Sequence, residues 1–160
     1  MSEILVIGYG NRYRRDDGVG PAAAERLSGH FPVLRVRCMA VRELTPELAE
    51  PISQARLVVF VDADAATPPG NVNRHSLLPS AEPALGLGHD FQPRSILALA
   101  KAIYGCAPMA MMFTLGGADF GHGEGFSDIV ESKIVELTAA IHDYVDEALG
   151  SPRMLAVEHI

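Results

Sequence analysis

Three short, almost unbroken apolar runs constrain this chain most: Ile4-Leu5-Val6-Ile7, Leu57-Val58-Val59-Phe60-Val61, and Met109 through Leu115. Each is too short for a stable helix, and each stops at glycine or aspartate: Gly8, Asp62 and Gly116-Gly117. A strand with one wet face alternates apolar with polar side chains. These runs do not alternate, so both of their faces are dry, the condition of strands in a parallel sheet covered by helices on both sides.

Helical patterns occupy the intervals. Residues 18–27 are rich in helix formers, with Asp17 as a candidate N-cap, Pro21 in the first turn and closure near Gly29. Thr45-Pro46-Glu47 opens a second helix. Ser95 to Tyr104 places Ile96, Leu99, Ala100 and Ile103 on one face, with Gly105 as the stop. The last helix has Val130, Ile134, Leu137, Ile141, Val145 and Ala148 spaced by threes and fours, after a Ser127 or Asp128 cap. Val33 to Cys38 alternates apolar residues with arginine and reads as a strand near a sheet edge, and Val72 to Leu77 is a candidate short strand. The expected fold is a three-layer α/β sandwich, hydrolase-like, with a mostly parallel twisted sheet of about five strands and helices on both faces. One domain is expected over residues 1–150, followed by a flexible tail over 151–160.

At 160 residues the chain can bury roughly 70% of the surface its unfolded form exposes, without disulfide or metal staples. That excludes disordered and mini-protein classes. Twenty acidic residues against 13 basic ones, with only two lysines, argue against a nucleic-acid partner, which would need its phosphates neutralised. No apolar stretch reaches the roughly 18 to 20 residues that cross a bilayer. Glu3 stands where a signal peptide carries positive charge, so a cytoplasmic location is expected. Cys38 and Cys106 form no CxxC or CxxH motif, which removes thiolate zinc and redox motifs and leaves both as small core residues.

In open α/β sheets, ligands bind beyond the carboxyl ends of the strands. That rule selects Asp16 and Asp17 after the first strand, Asp62 and Asp64 after the central one, His89 in the long loop that follows, and Gly116-Gly117. Carboxylates with an imidazole suit a divalent Ni, Zn, Mn or Fe ion and favour metal-assisted hydrolysis. Structural roles compete: Asp16 or Asp17 as a helix cap, Asp62 as a loop cap, His89 as an ordinary loop histidine. His75, His122, His142 and His159 have weaker claims. Gly8-Tyr9-Gly10-Asn11 begins like a dinucleotide-binding turn, but Tyr13 occupies the place of the third glycine. Arg12, Arg14 and Arg15 read as a solvated loop, with docking of an acidic partner as the functional alternative. No GxSxG or HExxH motif or Cys-centred protease signature is present, so no side-chain nucleophile is evident.

Gly8-Tyr9-Gly10-Asn11-Arg12-Tyr13-Arg14-Arg15-Asp16-Asp17-Gly18-Val19-Gly20 closely resembles the opening signature of the NiFe-hydrogenase maturation proteases. Further matches follow in order: Val58 to Ala63, then His89 to Ala100 with Tyr104-Gly105, then Phe120 to Ser127. The resemblance spans roughly residues 3–149. It implies an endopeptidase, classed in the family as aspartic-type, that removes a C-terminal extension from the hydrogenase large-subunit precursor after nickel insertion. Nickel supplied by the substrate is the recognition signal, and no tightly bound cofactor is expected. The residues matching the family's metal-contacting positions are Asp17, Asp62 and His89, with Asp16 a competitor for the place of Asp17 because some members carry Glu there. Gly10 and Gly116-Gly117 are expected to let a substrate strand approach the backbone. The general base stays open among Asp16, Asp17 and Asp62. A non-catalytic nickel-protein chaperone or scaffold and a self-contained metallohydrolase are the alternative readings.

Overall fold

The computed structural model describes residues 2–81 and 91–150. Five strands, β1 (Ile4–Tyr9), β2 (Val36–Val41), β3 (Leu57–Asp64), β4 (Val72–Leu77) and β5 (Met109–Gly116), form one sheet in the order β2-β1-β3-β5-β4. Strands β2, β1, β3 and β5 run parallel, and β4 closes one edge antiparallel to β5. Four helices cover it: α1 (Val19–Leu27), α2 (Ala49–Gln54), α3 (Pro93–Tyr104) and α4 (Asp128–Gly150). None of them is long and apolar enough to cross a membrane.

The three apolar runs are the strands β1, β3 and β5, and their residues alternate between two cores. Ile4, Val6, Val59, Val61, Phe113 and Leu115 pack with Leu27 of α1 and with Ile134, Leu137 and Ile141 of α4. Leu5, Ile7, Val58, Phe60 and Met112 pack on the other face with Ile52 of α2 and with Ile96, Leu97 and Ala100 of α3. Both faces are therefore dry, which is why these strands show no polar alternation.

The edges depart from the sequence expectations. Strand β2 starts at Val36, not Val33; Val33 and Leu34 are 80% and 87% exposed in a turn where the Pro32 carbonyl accepts from the N–H groups of Arg35 and Val36. Helix α1 begins after a 3-10 turn at Arg15–Gly18, its N-cap is Gly18, and Asp17 caps nothing. A second 3-10 turn, Pro46–Leu48, shortens α2 to six residues. Ile103 is 60% exposed, so the buried face of α3 is made by Ile96, Leu97, Leu99 and Ala100. Cys106 is exposed rather than in the core, its thiol donating to the Ser53 carbonyl at 3.0 Å, and Cys38 is half-buried. The tail at 151–160 lies outside the described residues.

Candidate active site

The signature after β1 is a problem in close packing before it is one in chemistry. A Cβ on Gly8 would stand 1.9 Å from the Gly20 carbonyl oxygen, and one on Gly20 would stand 2.4 Å from the Val61 carbonyl oxygen. The two glycines thus let the first turn of α1 lie directly on the ends of β1 and β3. At Gly10 (φ +147°) a Cβ would stand 1.9 Å from the Asp17 carbonyl oxygen, so the loop folds back on itself there. The expectation that Gly10 and Gly116-Gly117 leave room for substrate is corrected by the same measure. The protein's own atoms fill that room, since a Cβ on Gly116 would lie 2.1 Å from the Pro68 carbonyl oxygen and one on Gly117 would strike the Phe120 ring at 2.5 Å.

Asp16 is fully buried and saturated. Its Oδ2 accepts from the N–H groups of Ala118 (2.8 Å) and Asp119 (2.9 Å) and from the Ser127 hydroxyl (2.7 Å), while Oδ1 accepts from the Ser127 N–H (2.8 Å). Burial works against its ionisation, but the donors from Ser127, Ala118 and Asp119 outweigh it and hold the carboxyl below its ordinary value. With no acceptor to spare, Asp16 is a clamp between the signature loop and residues 118–127, and it leaves the list of candidate ligands and bases. The neighbouring arginines reinforce the clamp. Arg14 donates to the Phe120 carbonyl at 3.1 Å; Arg15, held at φ 51°, pairs with Asp119 at 3.2 Å and reaches the Glu124 carbonyl at 3.3 Å. Arg12 pairs with Glu25. The loop is solvated as expected, with Arg12 and Arg14 exposed, and all three guanidinium groups have partners within the chain.

Asp17 points the other way. It is half-buried, and its Oδ2 accepts the Asn11 N–H at 2.7 Å. Across the gap, Asp62 extends β3 beyond its apolar run and accepts the Ala63 N–H at 2.8 Å. Burial pushes the Asp62 carboxyl up to about 7; the Ala63 N–H and the Tyr9 hydroxyl oppose this, and the negative charges of Asp17 and Asp64 add to it. Asp64, two residues on, is half-buried at the margin of the same cleft as Asp62 and is held by its own turn. It accepts from the Thr67 hydroxyl at 2.5 Å and the Ala66 N–H at 2.9 Å, and these bonds hold its carboxyl below the ordinary value.

Asp62 opens onto a cleft of about 560 Å³ between the sheet's carboxyl edge and the start of α3. Tyr9, Thr114, His75 of β4 and Arg94 of α3 also line it. Of the three residues singled out by the family signature, the fold brings Asp17 and Asp62 into electrostatic reach of each other; His89 lies outside the described residues. Among the described residues, no three His, Cys, Asp or Glu side chains are placed to hold a metal ion. Sequence reasoning missed Tyr9 and Thr114. The period-2 alternation that puts Ile7 on the α2/α3 face puts Tyr9 there too, and Thr114 pairs with Asp62 in register, so strand parity was the available signal. Nothing in the sequence pointed from Asp16 to Ser127.

Fold and site together define an α/β protein with a carboxylate-bearing cleft beyond the carboxyl ends of a parallel sheet. Solved structures with this architecture include hydrogenase maturation proteases. The NiFe-hydrogenase maturation protease HycI of Thermococcus kodakarensis is 24% identical, with a TM-score of 0.66 over 89% of this chain and 91% of that one. The hydrogenase maturating endopeptidase HybD of E. coli is 20% identical, with a TM-score of 0.70 over 92% and 94%. A hydrogenase 2 maturation peptidase from a Thaumarchaeota archaeon is 24% identical, with a TM-score of 0.64 over 93% and 99%. No protein-family model and no curated protein sequence matches the chain. The chain has the fold of the hydrogenase maturation proteases, as the resemblance in its signature implied.

Proposed function

We propose that this chain is an endopeptidase that removes the C-terminal extension of a NiFe-hydrogenase large-subunit precursor once nickel has been inserted, and that it acts in the cytoplasm. The observation that carries the reading is the pair Asp17 and Asp62, delivered by the signature loop and by β3 to one rim. Each accepts a backbone N–H, that of Asn11 for Asp17 and that of Ala63 for Asp62, while Asp16 accepts four hydrogen bonds.

Nickel arrives as part of the substrate. Asp17, Asp62 and His89 would take coordination positions left open by the precursor's own ligands, so an empty precursor lacks the interaction altogether. Burial favours the protonated form of Asp62, and a cation docking on it displaces that proton. The site is thereby tuned to gain its charge when loaded substrate arrives. An aspartic-type hydrolysis then draws its general base from Asp17 or Asp62, since Asp16 has no free acceptor.

The test mixes the purified protein with nickel-loaded and nickel-free precursor and reads both mass and complex formation. Only the loaded precursor should shorten, and Asp17→Asn, Asp62→Asn and His89→Ala should each leave it full length. Normal processing by all three variants overturns the site. Binding without any change of length replaces proteolysis with a chaperone role.

A further inference from the structure

Strand β2 ends the sheet on the side of the signature loop, and among the described residues no strand pairs with its outer edge. Its inner edge is fixed by β1: the Arg35 carbonyl accepts from the Ile4 N–H at 2.9 Å and the Val41 carbonyl from the Gly10 N–H at 3.2 Å. Backbone groups along a parallel strand alternate in direction, so Arg37, Met39 and Val41 bond inward while Val36, Cys38 and Ala40 face outward. The Pro32 carbonyl takes the Val36 N–H at 3.0 Å. The outer edge thus presents the Val36 carbonyl and both backbone groups of Cys38 and of Ala40.

A bare edge is a template for another strand. Charge selects which strand fits this one. Arg37 and Arg42 are exposed and have no ion-pair partner among the described residues; Glu43 follows them, in a chain whose net charge is −7. Two copies pairing along the edge would set these arginines against one another, and like charges across a ladder are destabilising. At the carboxyl end of β2 lies a pocket of about 140 Å³, with Ala40, Val41 and Arg42 on one side and Gly10 and the exposed Tyr13 on the other. Asn11, in the same wall, donates its N–H to Asp17 at 2.7 Å, so the edge leads to the rim where Asp17 stands.

We propose that the outer edge of β2 docks an extended, acidic segment of the precursor, which adds as a further strand, seats one side chain in the pocket beside Tyr13 and reaches the rim at Asp17. The identity of the partner rests on the maturation-protease reading; the preference of the edge for an acidic strand does not. Main-chain bonds to Cys38 and Ala40 hold any extended segment, and Arg37, Arg42 and the pocket select among them. The arginines also draw an acidic segment in from solution, a contribution that salt weakens.

The experiment compares wild type with Ala40→Pro and with the double reversal Arg37→Glu, Arg42→Glu. Ala40→Pro deletes an outward N–H that bonds nothing inside the chain, a change that edge strands accept. The double reversal leaves the backbone whole, so a folding failure of the proline variant does not remove the test. Affinity for nickel-loaded precursor should fall about tenfold in each, with KM rising and kcat kept, because Asp17 and Asp62 are untouched. The loss in the double reversal should shrink as salt is raised. In wild type, precursor should slow hydrogen exchange at the Cys38 and Ala40 amides. Wild-type affinity in both variants, or unaltered exchange at those amides, overturns the proposal. So does a dimer in sedimentation that Ala40→Pro dissolves, since a second copy then takes the edge. If wild type binds neither loaded nor empty precursor, the maturation reading fails, and a short peptide alternating threonine with glutamate decides the edge by itself. It should shift the Cys38 and Ala40 amide resonances where its lysine counterpart does not, and equal or absent shifts sink the acidic strand.

Discussion

Two aspartate pairs stand at the carboxyl edge of the sheet, Asp16-Asp17 after β1 and Asp62-Asp64 at the end of β3, and they divide their labour in the same way. In each pair one carboxylate is held by a hydroxyl and backbone N–H groups, Asp16 by four bonds and Asp64 by those of Thr67 and Ala66; of their partners, Asp17 accepts the Asn11 N–H and Asp62 lines the cleft. Asp16 and Asp64 are held below their ordinary pKa, whereas Asp62 is pushed up to about 7. Residue type does not decide between scaffold and chemistry here. The balance between burial and donors does: burial prevails at Asp62, and donors prevail at Asp16 and Asp64.

Neutralising Asp17 or Asp62 should have the largest effect on activity. Asp17→Asn and Asp62→Asn should each lower precursor cleavage by about a hundredfold or more, the scale of a lost acid–base or ligand group, while neither loses stability in urea melts at neutral pH. Asp16→Ala should do the reverse in kind. It strands four donors around a fully buried site and should cost about 3 kcal/mol in urea denaturation, with activity falling only as far as the folded fraction falls. A stable Asp16→Ala protein would show that the clamp is redundant. Asp64→Ala, whose donors sit in a more exposed turn, should cost about 1 kcal/mol by the same measurement.

A further effect is a slope against pH. The folded chain keeps a proton on Asp62 up to about 7, while the unfolded chain loses it near 3.8, so this group's share of stability falls as pH rises from about 4 to about 7. Asp16 and Asp64 have the opposite sign, their stabilisation being lost as pH falls below the ordinary carboxylate range. Denaturation at a series of pH values should therefore show a flatter decline between pH 4 and 7 in Asp62→Asn. An unchanged slope would place the Asp62 carboxyl in water.

Much of the fold was legible because burial writes itself into composition. The unalternating runs at Ile4 to Ile7, Leu57 to Val61 and Met109 to Leu115 could only be strands dry on both faces, and they are the three inner strands of the sheet. The periodic face of α4 was equally plain. Edges were less legible. Val33 and Leu34 looked like strand but lie in solvent, because an edge strand needs only one dry face and its limits are set by the turn at Pro32. At the site, Asp17 and Asp62 were reachable from the rule that ligands gather beyond strand ends, but the separation of Asp16 from Asp17 was not. Its cause is Ser127, more than a hundred residues away along the chain.

By itself, then, the sequence determined the layers, the parallel sheet and the rim on which chemistry would sit, since these follow from local periodicity and from where apolar runs stop. Only the tertiary structure decided which carboxylates are free to react. That choice depends on donors contributed by residues 118–127, by Tyr9 and by the 62–67 turn, and a hydrogen bond between distant segments leaves no trace in either of the sequences it joins.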